Sequence, residues 1–336
     1  MIEQIIPGIY RIPVPLPGNP LQNTNAYLIR GEKRHLLVDS GFNWPACMQA
    51  LQQGLDYLEI PLSSLDYFIT HLHGDHSGLI YRLSSAGARV YCSQIDASIL
   101  SKANNRAYWQ ELHNFYTSHG FPRETLHVQE SSLQSQISGG DLNYIYIHDG
   151  DEMAIGPYHF IAVSTPGHTP GHTCLYEPEQ RLLIAGDHIL GDITPNITAW
   201  KELEDSLGRY LDSLDKIKLL NIELVLPGHR RLIRDCSSRI AQIEQHHRIR
   251  LQEVLSILEN GPMYAYQVAG LMSWDMSYPS WEDYPPYQQW FATGEAIAHL
   301  DHLTEQRLVK RIPHNGQWLY GLAVNPRLNS RFICDN

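Results

Sequence analysis

Short runs of apolar residues alternate with amphipathic or turn-rich stretches through the first two thirds of the chain. The runs at residues 25–30, 35–41 and 65–70 have the length of buried strands, and residues 45–58 have the spacing of an amphipathic helix. Strand-like runs return at residues 143–150, 158–165, 181–187 and 222–228. Such alternation predicts that residues 1–236 form one α/β domain.

The stretch from residue 94 to residue 140 has a different character, because it is polar, helical in pattern and interrupted by aromatic residues. One interpretation is an amphipathic helix that packs on the sheet. The other is a helical lid over a functional site, since such sites are often formed by connecting segments. Four aromatic side chains are candidates for lining a cleft: Tyr108, Trp109, Tyr116 and Trp200.

The C-terminal third predicts a second, smaller domain. Three helical patterns follow one another there, at residues 237–260, 264–272 and 293–308. The dipeptide Asn315–Gly316, between two strand-like segments, has the sequence of a β-hairpin turn. Helices followed by a two-stranded wing are typical of a winged-helix module, which we assign to residues 237–336.

A winged-helix module of this composition is not expected to bind DNA. Residues 237–336 carry eight lysine and arginine residues against ten aspartate and glutamate residues. A DNA-binding module needs a basic helix and wing to contact phosphates. We therefore predict that this module has a packing or dimerising role, which leaves a homo-oligomer open.

The overall composition is that of a folded globular protein. The 336 residues are 43% hydrophobic, carry a formal net charge of −11 and contain no low-complexity tract. No apolar run approaches the roughly 20 residues of a bilayer-spanning helix, and the N-terminus lacks a basic segment followed by an apolar one. These features predict a cytoplasmic protein with no membrane partner, and the acidic balance disfavours nucleic acid. The five cysteines are scattered and form no CxxC pair, so neither a disulfide framework nor a thiolate zinc site is expected.

A cluster of metal-binding residue types follows the apolar run at residues 65–69. It contains His71, His73, Asp75 and His76 within six positions. In an extended segment, residues two apart point the same way, so His71 and His73 can bind one ion together. Asp75 and His76 come after Gly74, which permits a sharp turn, and they can bind a second ion. This density of ligand types predicts a metal site.

Three later strand-like runs also end at a histidine or an aspartate. These residues are His168, in a turn rich in proline and glycine, Asp187 and His229. Each alone is compatible with an ordinary turn residue or a capping carboxylate. Together with the first cluster, they supply five histidines and two aspartates from four strand-to-loop junctions, where α/β proteins tend to gather functional residues.

Imidazole nitrogens and carboxylate oxygens suit borderline divalent ions. Zinc is the expected metal, and iron and manganese are compatible with the same ligands. Seven ligands are enough for two ions if one carboxylate bridges them and a position stays open for water. Water held by two cations becomes hydroxide near neutral pH, so the expected chemistry is hydrolysis.

This set of motifs resembles that of the metallo-β-lactamase superfamily of dinuclear hydrolases: HxHxDH, then a histidine after TPG, an aspartate after G and a histidine after PG. The motifs occur in the family's order over roughly residues 10–235. The resemblance implies that one ion is held by His71, His73 and His168. It implies that the other is held by Asp75, His76 and His229, and that Asp187 bridges both.

The resemblance also implies roles for two aspartates. Asp75 would orient the attacking hydroxide or accept its proton. Asp39, in the segment LLVDSG, resembles the family's aspartate that hydrogen-bonds near the metal ligands, although a turn aspartate at a strand end is the alternative. His172 and His188 do not match ligand positions. We expect His172 to pack near the ligands, and His188 is a lesser candidate for contacting substrate.

The fold that the resemblance implies is an αββα sandwich, two sheets packed face to face with helices outside, followed by the small winged-helix-like domain. Related proteins include thioesterase-like, glyoxalase II-like and endoribonuclease proteins. The chain lacks the basic tail residues with which glyoxalase II binds glutathione, and it lacks the inserted cap domain of the larger RNA-processing members. A secreted β-lactamase is disfavoured by the long C-terminal module.

The leading hypothesis is a dinuclear hydrolase that uses a metal-bridging hydroxide on an ester, thioester or lactone-like acyl bond of a small molecule. One alternative is an endoribonuclease or phosphodiesterase of the same fold. Another is a mononuclear iron enzyme similar to persulfide dioxygenases, which the complete second ligand set disfavours. A non-catalytic winged-helix regulator with a vestigial metal domain is the remaining alternative, and the presence of all seven ligand types disfavours it.

Overall fold

The structure is a computed structural model. It describes residues 2–84, 87–103, 105–125, 142–275 and 278–323. None of the helices in these ranges combines the length and the apolar character that crossing a bilayer requires.

The strands of the first sheet are β1 (Glu3–Ile6), β2 (Ile9–Pro15), β3 (Asn23–Ile29), β4 (His35–Val38), β5 (Leu65–Phe68), β6 (Val90–Ser93) and β7 (Tyr144–Ile147). The second sheet contains β8 (Glu152–Ile155), β9 (Tyr158–Ser164), β10 (Thr173–Glu177), β11 (Leu182–Gly186) and β12 (Leu224–Pro227). A third, small sheet contains β13 (Met263–Tyr264), β14 (Val309–His314) and β15 (Gln317–Leu322).

The helices are α1 (Pro45–Tyr57), α2 (Gly74–Ser77), α3 (Ile80–Leu83), α4 (Gln94–Lys102), α5 (Arg106–Ser118), α6 (Ser206–Lys218), α7 (Cys236–Leu258), α8 (Ala265–Leu271) and α9 (Pro286–Glu305). Short 3₁₀ turns occur at Leu62–Ser64 and Trp281–Asp283.

The first sheet keeps the order of the chain from β1 to β7. Its first four strands pair antiparallel, whereas β4 to β7 run parallel to one another. The second sheet has the order β12-β11-β10-β9-β8, and β11 and β12 are its parallel pair. The predicted ligands lie in the segments that follow β5, β9, β11 and β12.

Alternation along the strands explains the layers. In β4, Leu36 and Val38 belong to the core between the two large sheets, whereas Leu37 faces the helices α1, α3 and α4. In β11, Ile184 lies in the same intersheet core and Leu183 faces the second layer of helices. Because successive side chains of a strand point to opposite faces, a strand that is apolar at every position is buried on both faces. The result is a four-layer α/β sandwich with sheets inside and helices outside.

The C-terminal elements share a hydrophobic core with the second sheet. One continuous cluster joins Leu183 of β11 and Leu214 of α6 to Ile243 of α7, Ile297 of α9 and Tyr320 of β15. Asp235 is the N-cap of the long helix α7, and its Oδ1 accepts a hydrogen bond from the backbone N–H of Ser238. The boundary between residues 236 and 237 stays a prediction, because the packing is continuous across it.

The predicted hairpin near the C-terminus is confirmed. Strands β14 and β15 pair antiparallel, and the turn between them places Asn315 at φ 49° and Gly316 at φ 76°. Both residues lie in the left-handed region that two-residue hairpin turns require. Helix α7, strand β13, helices α8 and α9 and this hairpin follow in that order, and their designation as a winged helix stays a prediction.

The described part of the stretch 94–140 is helical and packs into the body of the protein. Trp109 and Tyr116 of α5 are each only 1% exposed, and Tyr116 stacks on Trp290 of α9 with ring centroids 4.5 Å apart. Tyr108 is also in the core. The expectation that these three aromatic residues line a cleft is therefore wrong, because the apolar face of α5 is turned inward. Residues 126–140 of the predicted lid lie outside the described residues.

Candidate metal centre

The predicted ligands meet at one edge of the sandwich. His71, His73, Asp75 and His76 follow β5, His168 follows β9, Asp187 follows β11 and His229 follows β12. Each of these strands ends one to four residues before its first ligand, so the rigid sheets fix where the loops begin. All seven side chains that the sequence singled out as ligands come together there.

The first group consists of His71, His73 and His168. Nε2 of His71 lies 3.1 Å from Nδ1 of His73, and Nε2 of His168 lies 3.0 Å from the same Nδ1 atom. Three ring nitrogens thus converge on one point. His73 contributes Nδ1, whereas His71 and His168 contribute Nε2.

The second group consists of Asp75, His76 and His229. Nε2 of His229 lies 3.2 Å from both Nε2 of His76 and Oδ2 of Asp75. Oδ2 of Asp75 lies 3.8 Å from Nε2 of His76. One carboxylate oxygen and two ring nitrogens therefore face a common point, as a cation site requires.

Asp187 lies between the two groups. Its Oδ2 atom is 3.3 Å from Nε2 of His229 and 3.8 Å from Nε2 of His168, so it contacts a member of each group. Its Oδ1 atom is 3.5 Å from Nε2 of His76, and it is buried without a hydrogen-bond partner. A buried carboxylate in this position is costly unless positive charge lies beside it, from a protonated imidazole or from a metal ion.

The donors of this site fit divalent cations. Burial, together with the neighbouring histidines, lowers the pKa of His71 well below its usual range and that of His73 to about 3. Both imidazoles are therefore neutral and have free lone pairs at neutral pH. Nitrogen lone pairs that face one another about 3 Å apart repel unless a proton or a metal ion lies between them.

The outer ring nitrogens of three ligands are held by acceptors. Nδ1 of His76 donates to Oδ2 of Asp39 at 2.7 Å, Nδ1 of His168 donates to the carbonyl of Asn196 at 2.7 Å, and Nδ1 of His229 donates to the carbonyl of Asn23 at 2.7 Å. These partners fix the tautomer that leaves the Nε2 lone pair pointing inward.

Asp39 influences two ligands at once. Besides His76, it accepts hydrogen bonds from the backbone N–H of Thr70 at 2.9 Å and from the Thr70 hydroxyl at 2.8 Å. That hydroxyl oxygen lies 3.0 Å from Nδ1 of His71 and can accept its proton. Asp39 therefore orients His76 directly and His71 through Thr70. These are contacts of the kind that the resemblance implied, and the role of Asp39 beside a bound metal ion stays a prediction.

Asp96 connects two of the ligand loops. Its fully buried carboxylate accepts hydrogen bonds from the backbone N–H of Leu72, the hydroxyl of Thr169 and the backbone N–H of Gly171, at 2.9, 2.8 and 2.7 Å. Leu72 lies between two ligands of the first cluster, and the other two donors follow His168. Burial raises the pKa of Asp96 to about 6, although these hydrogen bonds oppose the shift.

The second group carries protons when no metal is bound. Burial lowers the pKa of His229, but the carboxylates of Asp187 and Asp75 outweigh burial and raise it to about 10. The same balance raises the pKa of His76 well above its usual range. Burial would raise the pKa of Asp75, but His76 and His229 lower it to about 2. The two carboxylates and two imidazolium groups neutralise one another.

Metal binding should therefore release protons. A metal ion needs the Nε2 lone pair of His229, which is protonated at pH 7 in the metal-free protein. We expect about one to two protons to leave per chain on zinc binding, and the apparent affinity to rise with pH up to about 10. Calorimetric titration in buffers of different ionisation enthalpy measures this number. Proton-independent binding at pH 7 would contradict the protonated state of His229.

The stability of the metal-free protein should change with pH in the opposite sense. The pKa of His229 is raised from 6.5 to about 10, so the proton it holds stabilises the fold fully below about pH 6.5. That contribution is lost as the pH rises through 10.

The remaining candidates near the ligands have different surroundings. His172 is buried, and its Nε2 accepts a hydrogen bond from the backbone N–H of Asp187 at 3.2 Å, so it packs beside the ligands as expected. His188 is 0% exposed and lies against Tyr210, so it has no exposed surface for a substrate contact. Trp200 is half-buried, and its ring centroid lies 6.1 Å from that of His73.

Several residues that support the site had no signal in the sequence. The carbonyls of Asn23 and Asn196 act through the backbone, which every residue type carries. Asp96 lies in a helical stretch with no motif around it. Thr70 directly precedes His71, and a hydroxyl next to a predicted ligand was the one sign that this residue could hydrogen-bond to it.

Comparison with known proteins agrees with this geometry. The family model for the metallo-beta-lactamase superfamily matches residues 19–229, which contain all the residues of both groups. The chain therefore belongs to the metallo-beta-lactamase superfamily.

Two curated relatives have similar levels of identity. The chain is 28% identical over 262 residues to the lactamase-like protein adaB of Aspergillus niger, covering 77% of this chain and 66% of that protein. It is 29% identical over 260 residues to the beta-lactamase-like protein 2 homolog of Caenorhabditis elegans, covering 77% and 73%. The alignment thus spans just under two thirds of the Aspergillus protein.

Two solved structures match nearly the whole chain. A metallo-beta-lactamase family protein of Thermus thermophilus matches with a TM-score of 0.82 and 27% identity, covering 95% of this chain and 100% of that one. A beta-lactamase domain protein of Burkholderia ambifaria matches with a TM-score of 0.82 and 26% identity, covering 96% and 94%. These matches extend well past residue 229, so the C-terminal elements belong to the shared fold.

Proposed function

We propose that this protein is a dinuclear metal-dependent hydrolase that cleaves an ester, thioester or lactone-like acyl bond of a small molecule. Zinc is the metal that the nitrogen and oxygen donors suit best. His71, His73 and His168 would hold one ion. Asp75, His76 and His229 would hold the other, with Asp187 shared between them.

The position of Asp187 carries this proposal. Its Oδ2 atom lies 3.8 Å from Nε2 of His168 in the first group and 3.3 Å from Nε2 of His229 in the second, and its Oδ1 atom lies 3.5 Å from Nε2 of His76. A single-ion site would use one group and leave three donors of the other converging on nothing. Two adjoining donor groups joined by one carboxylate favour two ions over one.

Divalent ions in these positions would supply Lewis-acid polarisation of a carbonyl and an acidified water. The chain's own groups provide the surroundings. Asp75 stays ionised because its pKa is about 2, so it can accept a hydrogen bond from the attacking water and orient it. His73 is the one of the seven predicted ligands that is not fully buried, and it lies beside Trp200, so we infer that a substrate approaches from this side.

The surroundings favour an acyl substrate over a nucleic acid. The indole of Trp200 donates to the backbone carbonyl of His168 at 3.0 Å, so its ring is held in place beside His73. A fixed apolar ring next to the ligands suits an uncharged acyl chain. The net charge of −11 repels a polyanion.

The C-terminal elements have a packing role in this proposal. We infer a winged-helix arrangement from the order of α7, β13, α8, α9 and the β14–β15 hairpin. Residues 237–336 are slightly acidic overall, which disfavours binding to phosphates. The apolar faces of α7 and α9 pack into the core that they share with the second sheet, which supports a packing role.

A substrate panel tests the proposed reaction. Zinc-loaded protein should be assayed on an acyl thioester, an ester, a lactone, a β-lactam, a bis-aryl phosphate diester and RNA. We expect hydrolysis of one acyl class, abolished in an Asp187→Ala variant prepared in the same way. Cleavage of the phosphodiester or RNA alone would overturn the acyl assignment and favour the nuclease alternative.

A further inference from the structure

The loop after β11 reaches His168 from two sides. The carbonyl of Asn196 accepts the Nδ1–H of His168 at 2.7 Å, and the indole N–H of Trp200 donates to the backbone carbonyl of His168 at 3.0 Å. Residues 196–200, which we call the His168 clamp, therefore fix both the ring and the main chain of this residue. The position of His168 therefore depends on the contacts that hold the clamp in place.

The clamp is held by helix α9. The side-chain amide of Asn196 donates to Oε2 of Glu295 at 2.7 Å, although the two residues are 99 positions apart. The backbone N–H of Ala199 donates to the carbonyl of Gly294 at 3.0 Å. The clamp and the helix are thus joined by a side-chain and a main-chain hydrogen bond.

The contact at Gly294 is too close for any side chain. A Cβ atom on this residue would lie 1.9 Å from Oγ1 of Thr198 and 2.5 Å from the Tyr116 hydroxyl. Those two oxygens lie 3.2 Å apart and hydrogen-bond to each other. Glycine therefore lets α9 approach the clamp closely enough for both hydrogen bonds to form.

Glu295 is itself fixed from the far side. It is buried, and its Oε1 atom lies 3.5 Å from Nη2 of Arg250 on α7. Arg250 is also buried, donates to Glu253 at 2.7 Å and stacks over the ring of Trp274 at 4.3 Å. A buried ion pair of this kind has little freedom to rotate, so it specifies one position for the Glu295 carboxylate.

We propose that Asn196 and Glu295 are positioning residues for His168, so that helix α9 of the C-terminal part sets the geometry of the ion held by His71, His73 and His168. This inference rests on the proposed function, because it assumes an ion at that group. It predicts that changes in α9 lower the affinity for one of the two ions selectively. The ring nitrogens of His76 and His229 are instead held by Asp39 and the carbonyl of Asn23, which lie outside the clamp.

The test compares zinc affinities by competition with a chelator in Glu295→Ala and Gly294→Ala. The first removes the acceptor for Asn196, and the second pushes the clamp away from α9. We expect each variant to lower the affinity for one of the two zinc ions about 10–100-fold, which is the usual effect of disturbing the groups that orient a ligand. The affinity for the other ion should stay unchanged. The cobalt-loaded variants should also show an altered visible absorption for one of the two ions.

Two further variants separate positioning from general stability. Glu295→Gln keeps an oxygen that can accept from Asn196, so it should retain zinc affinity close to that of the unmodified protein. Gln289→Ala removes another buried hydrogen bond of α9, to the carbonyl of Trp281 at 2.8 Å, that lies away from the clamp. It should lower the stability of the fold without changing the affinity for either zinc ion.

Unchanged affinity for both ions in folded Glu295→Ala and Gly294→Ala protein would overturn the inference. Equal weakening of both ions, matched by Gln289→Ala, would overturn it as well, because that result describes general loosening. An unmodified protein that binds a single ion would defeat the dinuclear proposal instead. The affinity of that ion in Glu295→Ala would still decide the role of α9.

Discussion

Replacing Asp187 with alanine should abolish hydrolysis and reduce the bound metal from two ions per chain to one or none. Asp187 is the residue that contacts both donor groups, with Oδ2 at 3.3 Å from His229 and 3.8 Å from His168. Its loss also leaves the positive charge on His229 with one carboxylate fewer, so that imidazole loses part of the field that raises its pKa. We expect a fall in turnover of at least about 10²–10³-fold.

The measurement is turnover together with metal content on the same preparation. Asp192→Ala is a suitable control, because this carboxylate lies five residues further on, is exposed and pairs with Arg231 rather than with a ligand. It should leave both turnover and metal content unchanged. Full activity of Asp187→Ala would show that the shared carboxylate has no part in the reaction.

Replacing Asp39 with alanine should weaken metal binding without removing any ligand. The substitution deprives Nδ1 of His76 and the hydroxyl of Thr70 of their acceptor, and it leaves the backbone N–H of Thr70 unpaired in the interior. Changes of this kind typically lower metal affinity about 10–100-fold. The unpaired buried donors should lower the free energy of unfolding by about 1–3 kcal/mol.

Thr70→Val is the matched comparison for Asp39. It removes only the hydroxyl that links Asp39 to His71, and the hydrogen bond to His76 remains. Zinc affinity, measured by chelator competition, should therefore fall less than in Asp39→Ala. An Asp39→Ala protein with the zinc affinity of the unmodified protein would contradict the orienting role of this carboxylate.

The predicted ligands could be identified from the sequence more easily than the groups that hydrogen-bond to them. His71, His168, Asp187 and His229 each stand shortly after a short, mostly apolar run, and such runs are typical of buried strands. Buried strands end at a common edge, so residues that are far apart in the chain could be expected to meet. The contact of the Asn196 carbonyl with His168 could not be predicted, because it depends on the path of the backbone and any residue type could make it.

The packing of helices was harder to predict than their existence. The pattern of residues 94–140 predicts helical structure, but it does not say which layer the apolar face contacts. Trp109 and Tyr116 were candidates for a cleft, but both lie in the core, where Tyr116 stacks on Trp290. The same limit applies to α9, whose contact with the His168 clamp joins residues 99 positions apart.

The most direct test of the dinuclear site is elemental analysis of protein purified without a chelator. Two divalent ions per chain are expected, with zinc the principal metal, and the Asp187→Ala protein prepared in parallel should contain fewer. One iron per chain, without hydrolysis of any acyl substrate, would contradict the dinuclear hydrolase and favour an oxidative enzyme of the same fold.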